Sequence, residues 1–354
     1  MSQMKLGTKI VLGFSLLILI ALALGGMAVW NMTTVAGQSN ILAYEYVPEV
    51  EVANNVERYS LAAMYANRGY GFTEDESFLK TGQENLAQVE KYLADAETLA
   101  VKSAHLAKLK EQAGKAKENV AKYKGLLEET VAKNKRLVEL RAQMYGASAK
   151  YMQNCADFLE SQNQAMAKEI AEGAPPERLK ERLLKITIVN DIIDLGNAAR
   201  VGNFKSQATR SPETMREALK SFPEIEKKFE ALRAVTRQEV NIRQINETKS
   251  AGDQYKDAME QFLARWLERE ELNKNRGQAA DSVLEAAQAT SQAGIEQTNQ
   301  IARGAASSLA ASSNIMIVGL VAALIVGILL AIFITRSITG PINRIIEALS
   351  AGSE

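Results

Sequence analysis

Cysteine and histidine are almost missing from this chain of 354 residues, which contains Cys155 and His105 as single examples. One cysteine cannot form an internal disulfide, so a long domain with this sequence must be held together by core packing. One cysteine and one histidine also fall short of a zinc site, and no acidic loop signature replaces it. The sequence therefore predicts no metal site and no cofactor.

An excess of charge of either sign is also missing, since 42 basic residues balance 42 acidic ones. All but four of the basic residues and all but two of the acidic residues lie between residues 31 and 313. A nucleic-acid partner would call for a basic face, so the balance argues against one. No glycine-rich phosphate loop, nucleophile elbow or carboxylate pair stands out, and we expect no enzymatic activity.

Proline is scarce, with six examples, and no window alternates apolar and polar residues as a strand would. Alanine, glutamate, lysine, leucine and glutamine dominate the region between residues 31 and 313, which favours helices. The fold class predicted is all-α. The expected helices cover about 32–70, 75–99, 104–171, 176–207, 212–240 and 240–313.

Turn residues mark the expected helix ends. Gly69 and Gly71 are predicted to end the first of these helices, and Thr73 to Glu76 forms a candidate capping box for the second. The third is expected to stop at the sequence Gly-Ala-Pro-Pro of residues 173–176, and Ser211-Pro212-Glu213 predicts a helix start. Pro223 is expected to break or kink the fifth helix.

Two uncharged runs stand apart from the rest of the sequence, at residues 10–30 and 314–335. Each is long enough to cross the hydrocarbon core of a bilayer as a helix. The first run could instead be a cleaved signal peptide, because Ala21 and Ala23 have the small-x-small spacing of a cleavage site. Its length exceeds the roughly 7 to 15 residues of a signal h-region, so we favour an uncleaved anchor.

Basic residues lie at the outer end of each run, that is, toward the chain terminus nearest to it. Lys5 and Lys9 precede the first, and Arg336 and Arg344 follow the second. The positive-inside rule then predicts cytoplasmic ends, at residues 1–9 and 336–354, and an extracytoplasmic domain at residues 31–313. We therefore expect a two-pass protein of the inner membrane with a periplasmic domain.

Helix lengths limit the possible topologies. At about 1.5 Å per residue, the third and sixth helices extend roughly 100 Å and the other four roughly 40 to 60 Å. The simplest arrangement that buries every apolar stripe is two stacked four-helix-bundle modules that share the two long helices. The proximal module is expected to contain about 31–125 plus 275–313, and the distal module about 126–274.

Two similar phrases suggest an internal duplication. The sequence ANRGYGF of residues 66–72 is echoed by AARVGNF at residues 198–204. The match is also short enough to be a convergent similarity between two helical hairpins.

With two anchors and an outward helical domain, the chain resembles the bacterial methyl-accepting chemotaxis proteins, and residues 31–313 resemble their helical bimodular sensor domain. The phrase RSITGPINRI of residues 336–345 is similar to the opening of a HAMP linker. Pro341 would start the first signalling helix there, and Arg336 would hold the membrane boundary.

This resemblance implies a transmembrane chemoreceptor that senses a small ligand, an organic acid, and signals as a homodimer. The signal would pass to a cytoplasmic adaptor and a histidine kinase through a part that follows residue 354, so we expect the chain to be a fragment. The small residues of 278–308 are suited to a dimer seam or bundle core, or to a plain helical spacer. Two alternatives remain: the sensor portion of a histidine kinase or cyclic-dinucleotide enzyme, and a structural membrane stalk that binds nothing.

An organic acid bound between helices needs inward-facing cations, because a buried carboxylate must be paired. The hypothesis places Arg58, Tyr65 and Arg68 on one side of the first helix. In the distal module it places Asn190, Asn197 and Arg200 together. Since basic residues are abundant, each of these cations could equally be a solvated or salt-bridged surface residue. The candidate ligand-binding residues are Arg58, Tyr65, Arg68, Asn190, Asn197 and Arg200.

Overall fold

The structure is a computed structural model that describes residues 5–351, and no strand occurs among those residues. This confirms the all-α fold class. Residues 1–4 of the predicted cytoplasmic N-terminus and residues 352–354 of the predicted HAMP segment lie outside the described residues.

Eight α-helices make up nearly all of the described chain, in an order close to the predicted one. A π-helical turn, Leu42–Tyr46, separates the first two, and a short 3-10 turn, Ala104–Leu106, precedes the fourth. The helices are α1 Leu6–Ile41, α2 Val47–Thr73, α3 Glu76–Lys102, α4 Ala107–Ala171, α5 Pro176–Thr209, α6 Pro212–Leu219, α7 Ser221–Ala234 and α8 Glu239–Ala351.

The prediction that Gly69 and Gly71 end a helix is wrong, because α2 continues to Thr73. Glycine inside a helix costs about 1 kcal/mol relative to alanine, which tertiary packing offsets. Gly69 is needed for such packing: a Cβ there would lie 2.6 Å from Cδ1 of Phe78. The glycine therefore admits an aromatic ring and does not terminate the helix.

The cap of α3 also differs from the predicted box. Asp75 Oδ1 accepts a hydrogen bond from the Ser77 amide at 2.8 Å, so Asp75 caps the helix in place of Thr73. The reason is that Glu74 adopts a left-handed conformation, with φ of 59°, and forms the turn between the two helices. Thr73 Oγ1 accepts from the Asp75 amide at 3.2 Å and so stabilises this turn.

Other predicted helix ends are confirmed. Gly173 has a φ of +66° in the turn after α4, and Ser211 Oγ accepts from the Thr214 amide at 3.3 Å at the start of α6. The predicted break near Pro223 lies at Lys220, between α6 and α7. A proline cannot donate a hydrogen bond to the carbonyl of the residue four positions earlier, and its ring clashes with that carbonyl. For Pro223 the residue four positions earlier is Leu219, which is the last residue of α6.

The HAMP resemblance implied that Pro341 starts a helix, but this residue lies inside α8. Its fixed φ is compatible with an existing helix, and the lost backbone donor leaves one carbonyl, that of Ser337, without its helical partner. The helix that contains residues 314–335 therefore continues through the proline to Ala351.

Two helices, α1 and α8, contain segments long and apolar enough to cross a membrane. The large apolar side chains of these segments are mostly exposed, as expected for surfaces that face lipid. The segments contact each other, since Gly319 lies against Leu24 and Gly13 against Leu330. Asn31 Nδ2 donates to the Ser308 carbonyl at 3.1 Å beyond the apolar stretch.

The chain divides into two compact units. The first contains 5–60, 87–117 and 283–351 of the described residues, and the second contains Leu61–Leu86 and Glu118–Ser282. A core cluster of the first unit consists mostly of small or aliphatic side chains and includes one aromatic ring. This cluster contains Ala96, Ala100, Leu106, Leu109, Ala113 and Tyr46.

The second unit has a larger core that is rich in aromatic rings. Edge-to-face pairs occur within it, including Tyr151 with Phe229 at 6.3 Å and Phe222 with Tyr255 at 5.8 Å between ring centroids. Tyr151 is fully enclosed and its hydroxyl donates to the Ile192 carbonyl at 3.0 Å. Such a core fixes the positions of α4, α5, α7 and α8 in this unit.

Replacement of Gly196 by alanine is expected to destabilise the second unit by about 1 to 3 kcal/mol, the usual cost of overpacking a core. The added Cβ would overlap the edge of the Tyr151 ring, which is held on its other side by Gly252. Thermal unfolding of the purified chain, followed by circular dichroism, measures the change.

Gly146→Ala is the matched control. Gly146 lies in α4 of the same unit with nothing within 4 Å of an added Cβ, so we expect a stabilisation of about 0.5 to 1 kcal/mol. Equal effects of the two substitutions would show that Tyr151 does not require the glycine.

Candidate functional site

A cationic pocket of about 540 Å³ lies in the second unit. Five basic side chains and one acidic side chain, Glu270, line it, which is a strong departure from the balanced charge of the chain. The basic residues are Arg68, Arg210, Lys274, Arg269 and Arg276. Aromatic walls come from Phe72, Tyr123 and Trp266.

Helix α8 supplies the longest wall of the cationic pocket. Arg269, Asn273, Arg276 and Ala280 follow one another at spacings of four, three and four residues, which places them on one face of the helix. The remaining walls come from the last turns of α2, from Tyr123 on α4, and from the corner between α5 and α6.

Arg276 is the most deeply buried cation of the pocket, at 6% exposed. Its guanidinium donates to Thr130 Oγ1 at 3.2 Å and to Asn273 Oδ1 at 3.1 Å, and lies 5.9 Å from the centroid of the Tyr123 ring. No carboxylate among the described residues pairs with it. Burial, together with the charge of Arg68, lowers the pKa of Arg276. A buried cation without a counter-charge is costly, and an anion in the pocket would offset that cost.

Arg269 is also incompletely paired. One terminal nitrogen lies 3.4 Å from Asn134 Oδ1 and 4.0 Å from Glu74 Oε1, and the buried Nε of Arg269 has no hydrogen-bond partner among the described residues. Glu74 is held mainly by Arg141, which donates to both carboxylate oxygens at 3.0 and 3.2 Å. Glu270 contacts Arg269 only at 3.5 Å, so donors of Arg269 remain for a ligand.

Arg210 forms the corner of the pocket at the end of α5. The residue has a left-handed conformation, with φ of 54°, and caps α5. Its guanidinium carbon lies 4.1 Å above the centroid of the Phe72 ring and one nitrogen donates to the Phe72 carbonyl at 2.8 Å. The cation–π contact keeps the positive charge at the rim without neutralising it.

Tyr123 brings a hydroxyl to the inner wall. The hydroxyl accepts a hydrogen bond from Asn67 Nδ2 at 3.1 Å, and both residues are buried. Burial raises the pKa of Tyr123, and the positive charge of Arg276 opposes that rise. Because Asn67 occupies the hydroxyl as an acceptor, the phenolic proton is free to point elsewhere, including toward a bound anion.

Of the six residues predicted to bind a ligand, Arg68 lines the cationic pocket. Tyr65, in the same helix, is 77% exposed and does not line it. Arg58 belongs to the first unit, where its guanidinium lies 4.7 Å above the centroid of the Tyr59 ring.

The three candidates of α5 do not line the cationic pocket either. Asn190 is exposed. Asn197 and Arg200 were predicted to share a face, and Arg200 indeed donates to Asn197 Oδ1 at 3.3 Å. The buried Nε of Arg200 has no hydrogen-bond partner within residues 5–351. Burial raises the pKa of Tyr255 to about 12, and the charge of Arg200 opposes that rise.

The residues missed by sequence reasoning are those supplied by α4, α8 and the α5–α6 corner. The three-and-four spacing of polar residues at 269, 273 and 276 was the available signal, because it puts donors on one helix face. Nothing in the sequence showed which face points inward. Among the described residues, no group of three or more histidine, cysteine, aspartate or glutamate side chains is placed to hold a metal ion.

Neither a protein-family model nor any curated protein matches the chain.

Proposed function

We propose that the protein is a membrane-anchored sensor that binds a small organic acid in the cationic pocket of its second unit. Arg276 carries this proposal, because it is buried without a carboxylate partner among residues 5–351 and faces the same cavity as four other cations. Planar guanidinium groups bind carboxylates with paired hydrogen bonds, so a small anion fits the donors that remain.

A route for the signal follows from α8. The helix that forms the pocket wall, from Arg269 to Ala280, also contains the apolar segment 314–335. A ligand shifts a signalling equilibrium only if it binds one helix arrangement more tightly than the other. Closure of the pocket cations around an anion would favour one position of α8, and the helix would carry that change into the membrane.

The remaining parts of the proposal come from the resemblance to chemoreceptors. They comprise an inner-membrane location with spans at 10–30 and 314–335, a periplasmic domain at 31–313 and a homodimer. They also include two stacked four-helix modules and an output through a HAMP linker to a cytoplasmic adaptor and a histidine kinase. A kinase or cyclic-dinucleotide enzyme as the output remains compatible with the same ligand site.

Titration calorimetry of the whole chain in lipid nanodiscs tests the proposed function, with acetate, succinate and citrate as probes and succinamide as the uncharged control. We expect at least one acid to bind, its affinity to fall as salt screens the pocket cations, and succinamide not to bind. Failure of all three acids to bind would overturn the proposal and favour the structural stalk.

A further inference from the structure

Glu49 is a buried carboxyl group in the first unit, at 3% exposed, with no hydrogen bond or ion pair from the described residues. It lies in the first turn of α2, directly after the π-helical turn Leu42–Tyr46. Pro48 lacks the backbone donor that would bond to the Tyr44 carbonyl, which accounts for the wider turn. The carboxyl is therefore held at the point where α2 begins.

Helix α8 passes directly against this carboxyl. A Cβ on Gly294 would lie 3.0 Å from Glu49 Oε2 and 2.8 Å from Cγ2 of Val50, so only glycine allows the two helices to approach this closely. Further along the same contact, Ser291 Oγ donates to Asn54 Oδ1 at 2.8 Å and Gln288 Nε2 donates to Glu57 Oε1 at 2.7 Å. The α2–α8 contact is thus polar and closely packed.

The charges that act on Glu49 are few. Burial raises the pKa of Glu49 to about 7, and Lys108 of α4 opposes that rise. Tyr46, one turn before, is the other titratable neighbour, and burial together with the charge of Glu49 raises its pKa. No charged group of α3 or α8 among the described residues acts on Glu49.

A second acidic group lies one helical turn earlier and responds to protons differently. Glu45 Oε2 lies 2.9 Å from His105 Nδ1 and also accepts from the Ser103 hydroxyl, and these bonds lower the pKa of Glu45. Acidification would neutralise Glu49, and this change favours the observed packing.

We propose that Glu49 and Gly294 form a pH-responsive junction that sets how closely α8 packs on α2 in the first unit. A neutral Glu49 is tolerated beside the α8 backbone, whereas an ionised one must find water or a cation and so pushes the helices apart. The link to signalling rests on the proposed function, but the junction itself requires no ligand.

The sign of the pH dependence follows from the direction of the shift. An unfolded glutamate titrates near pH 4.3, so between about pH 4.3 and 7 the folded chain holds a proton that the unfolded chain lacks. Stability contributed at this site is therefore lost as pH rises through that window and stays constant above it. This direction is opposite to that of a salt-bridged carboxylate.

Infrared difference spectra of the full chain in nanodiscs, recorded from pH 5 to 9, test the titration. We expect the carbonyl band of a protonated carboxylic acid to disappear with a midpoint near pH 7. Glu49→Gln should remove this component, and Lys108→Gln should move its midpoint upward. Glu51→Gln, the same substitution at an exposed position of α2, should leave it unchanged. A midpoint below pH 5.5, or an unchanged band in Glu49→Gln, would overturn the proposal.

Spin labels on α2 and α8 test the movement. Cysteines replacing the exposed residues Glu51 and Gln292 take the labels, while Cys155 is buried and remains unlabelled. We expect the distance distribution to lengthen between pH 6 and pH 8 in the otherwise unchanged chain. With Glu49→Gln we expect the shorter distribution at both values. A distribution independent of pH in the chain that retains Glu49 would refute the junction, whatever the outcome of the ligand titrations.

Discussion

Replacement of Arg276 by methionine is expected to weaken organic-acid binding by at least about 10- to 100-fold, because hydrogen bonds to a charged group contribute about 1.5 to 3 kcal/mol. The same substitution should leave the ligand-free chain as stable as before, or make it more stable. It removes a buried cation that lacks a carboxylate partner in the described part of the chain and replaces it with an apolar side chain of similar length. Titration calorimetry and thermal unfolding of the same sample measure the two effects.

Arg265→Met provides the matched control for this prediction. Arg265 lies on the same helix, is largely exposed, and pairs with Glu268 at 2.8 Å, so neither binding nor stability should change by more than about 1 kcal/mol. A general effect of lost positive charge would weaken binding equally in both variants. Wild-type affinity in Arg276→Met, or a large loss of stability, would contradict a role as an anion ligand.

The helices themselves could be predicted well, because their signals are local. Pro212 at the first position of α6 and Gly173 in the turn after α4 act through their own backbone, and each lies where the sequence placed it. Gly69 misled because glycine has two uses, whereas nothing lies within 4 Å of a Cβ added at Gly71. The sequence cannot separate a helix end from a place where an aromatic ring, here Phe78, must approach the backbone.

The cationic pocket could be predicted only in part. Arg68 was found through its own helix, whereas Tyr123 and Arg276 come from two other helices that are distant in sequence. Register between long helices depends on the packing of many side chains, which no local motif reports. Pairing Arg58 with Arg68 also overstated the helical geometry. Ten residues turn an α-helix by about 1000°, roughly 80° short of three full turns.

The two apolar segments illustrate a third case, in which composition suffices to find helices long and apolar enough to cross a membrane. Residues 10–30 and 314–335 are uncharged over lengths that match a bilayer, and the structure places them in two helices whose apolar side chains other parts of the chain leave exposed. Location in the inner membrane, orientation there and the output partner stay predictions, because they depend on composition, on flanking charges and on the resemblance to chemoreceptors.

Glu169→Gln is expected to destabilise the second unit by about 3 to 5 kcal/mol, the cost of breaking a buried ion pair on one side. Glu169 is 4% exposed at the end of α4. Arg182 donates to its two oxygens at 2.7 and 3.2 Å, and Arg178 donates at 3.1 Å. The glutamine side chain introduced at position 169 carries no charge and cannot neutralise the buried Arg182 guanidinium, which also contacts Gln162. Thermal or urea unfolding of the chain measures the loss.

The pH dependence of the same pair checks its electrostatic origin. Hydrogen bonds from Arg182 hold the pKa of Glu169 below its ordinary value, so its stabilising effect is present at neutral pH and lost as pH falls below about 4.3. Glu169→Gln should reduce this loss of stability at low pH. Glu172→Gln, at an exposed residue 3.8 Å from Lys168, should not. Adding Arg182→Met to Glu169→Gln should recover most of the stability, because it removes the unpaired charge. A double variant as unstable as the single one would mean that packing, and not the ion pair, determines the stability of this end of the helix pair.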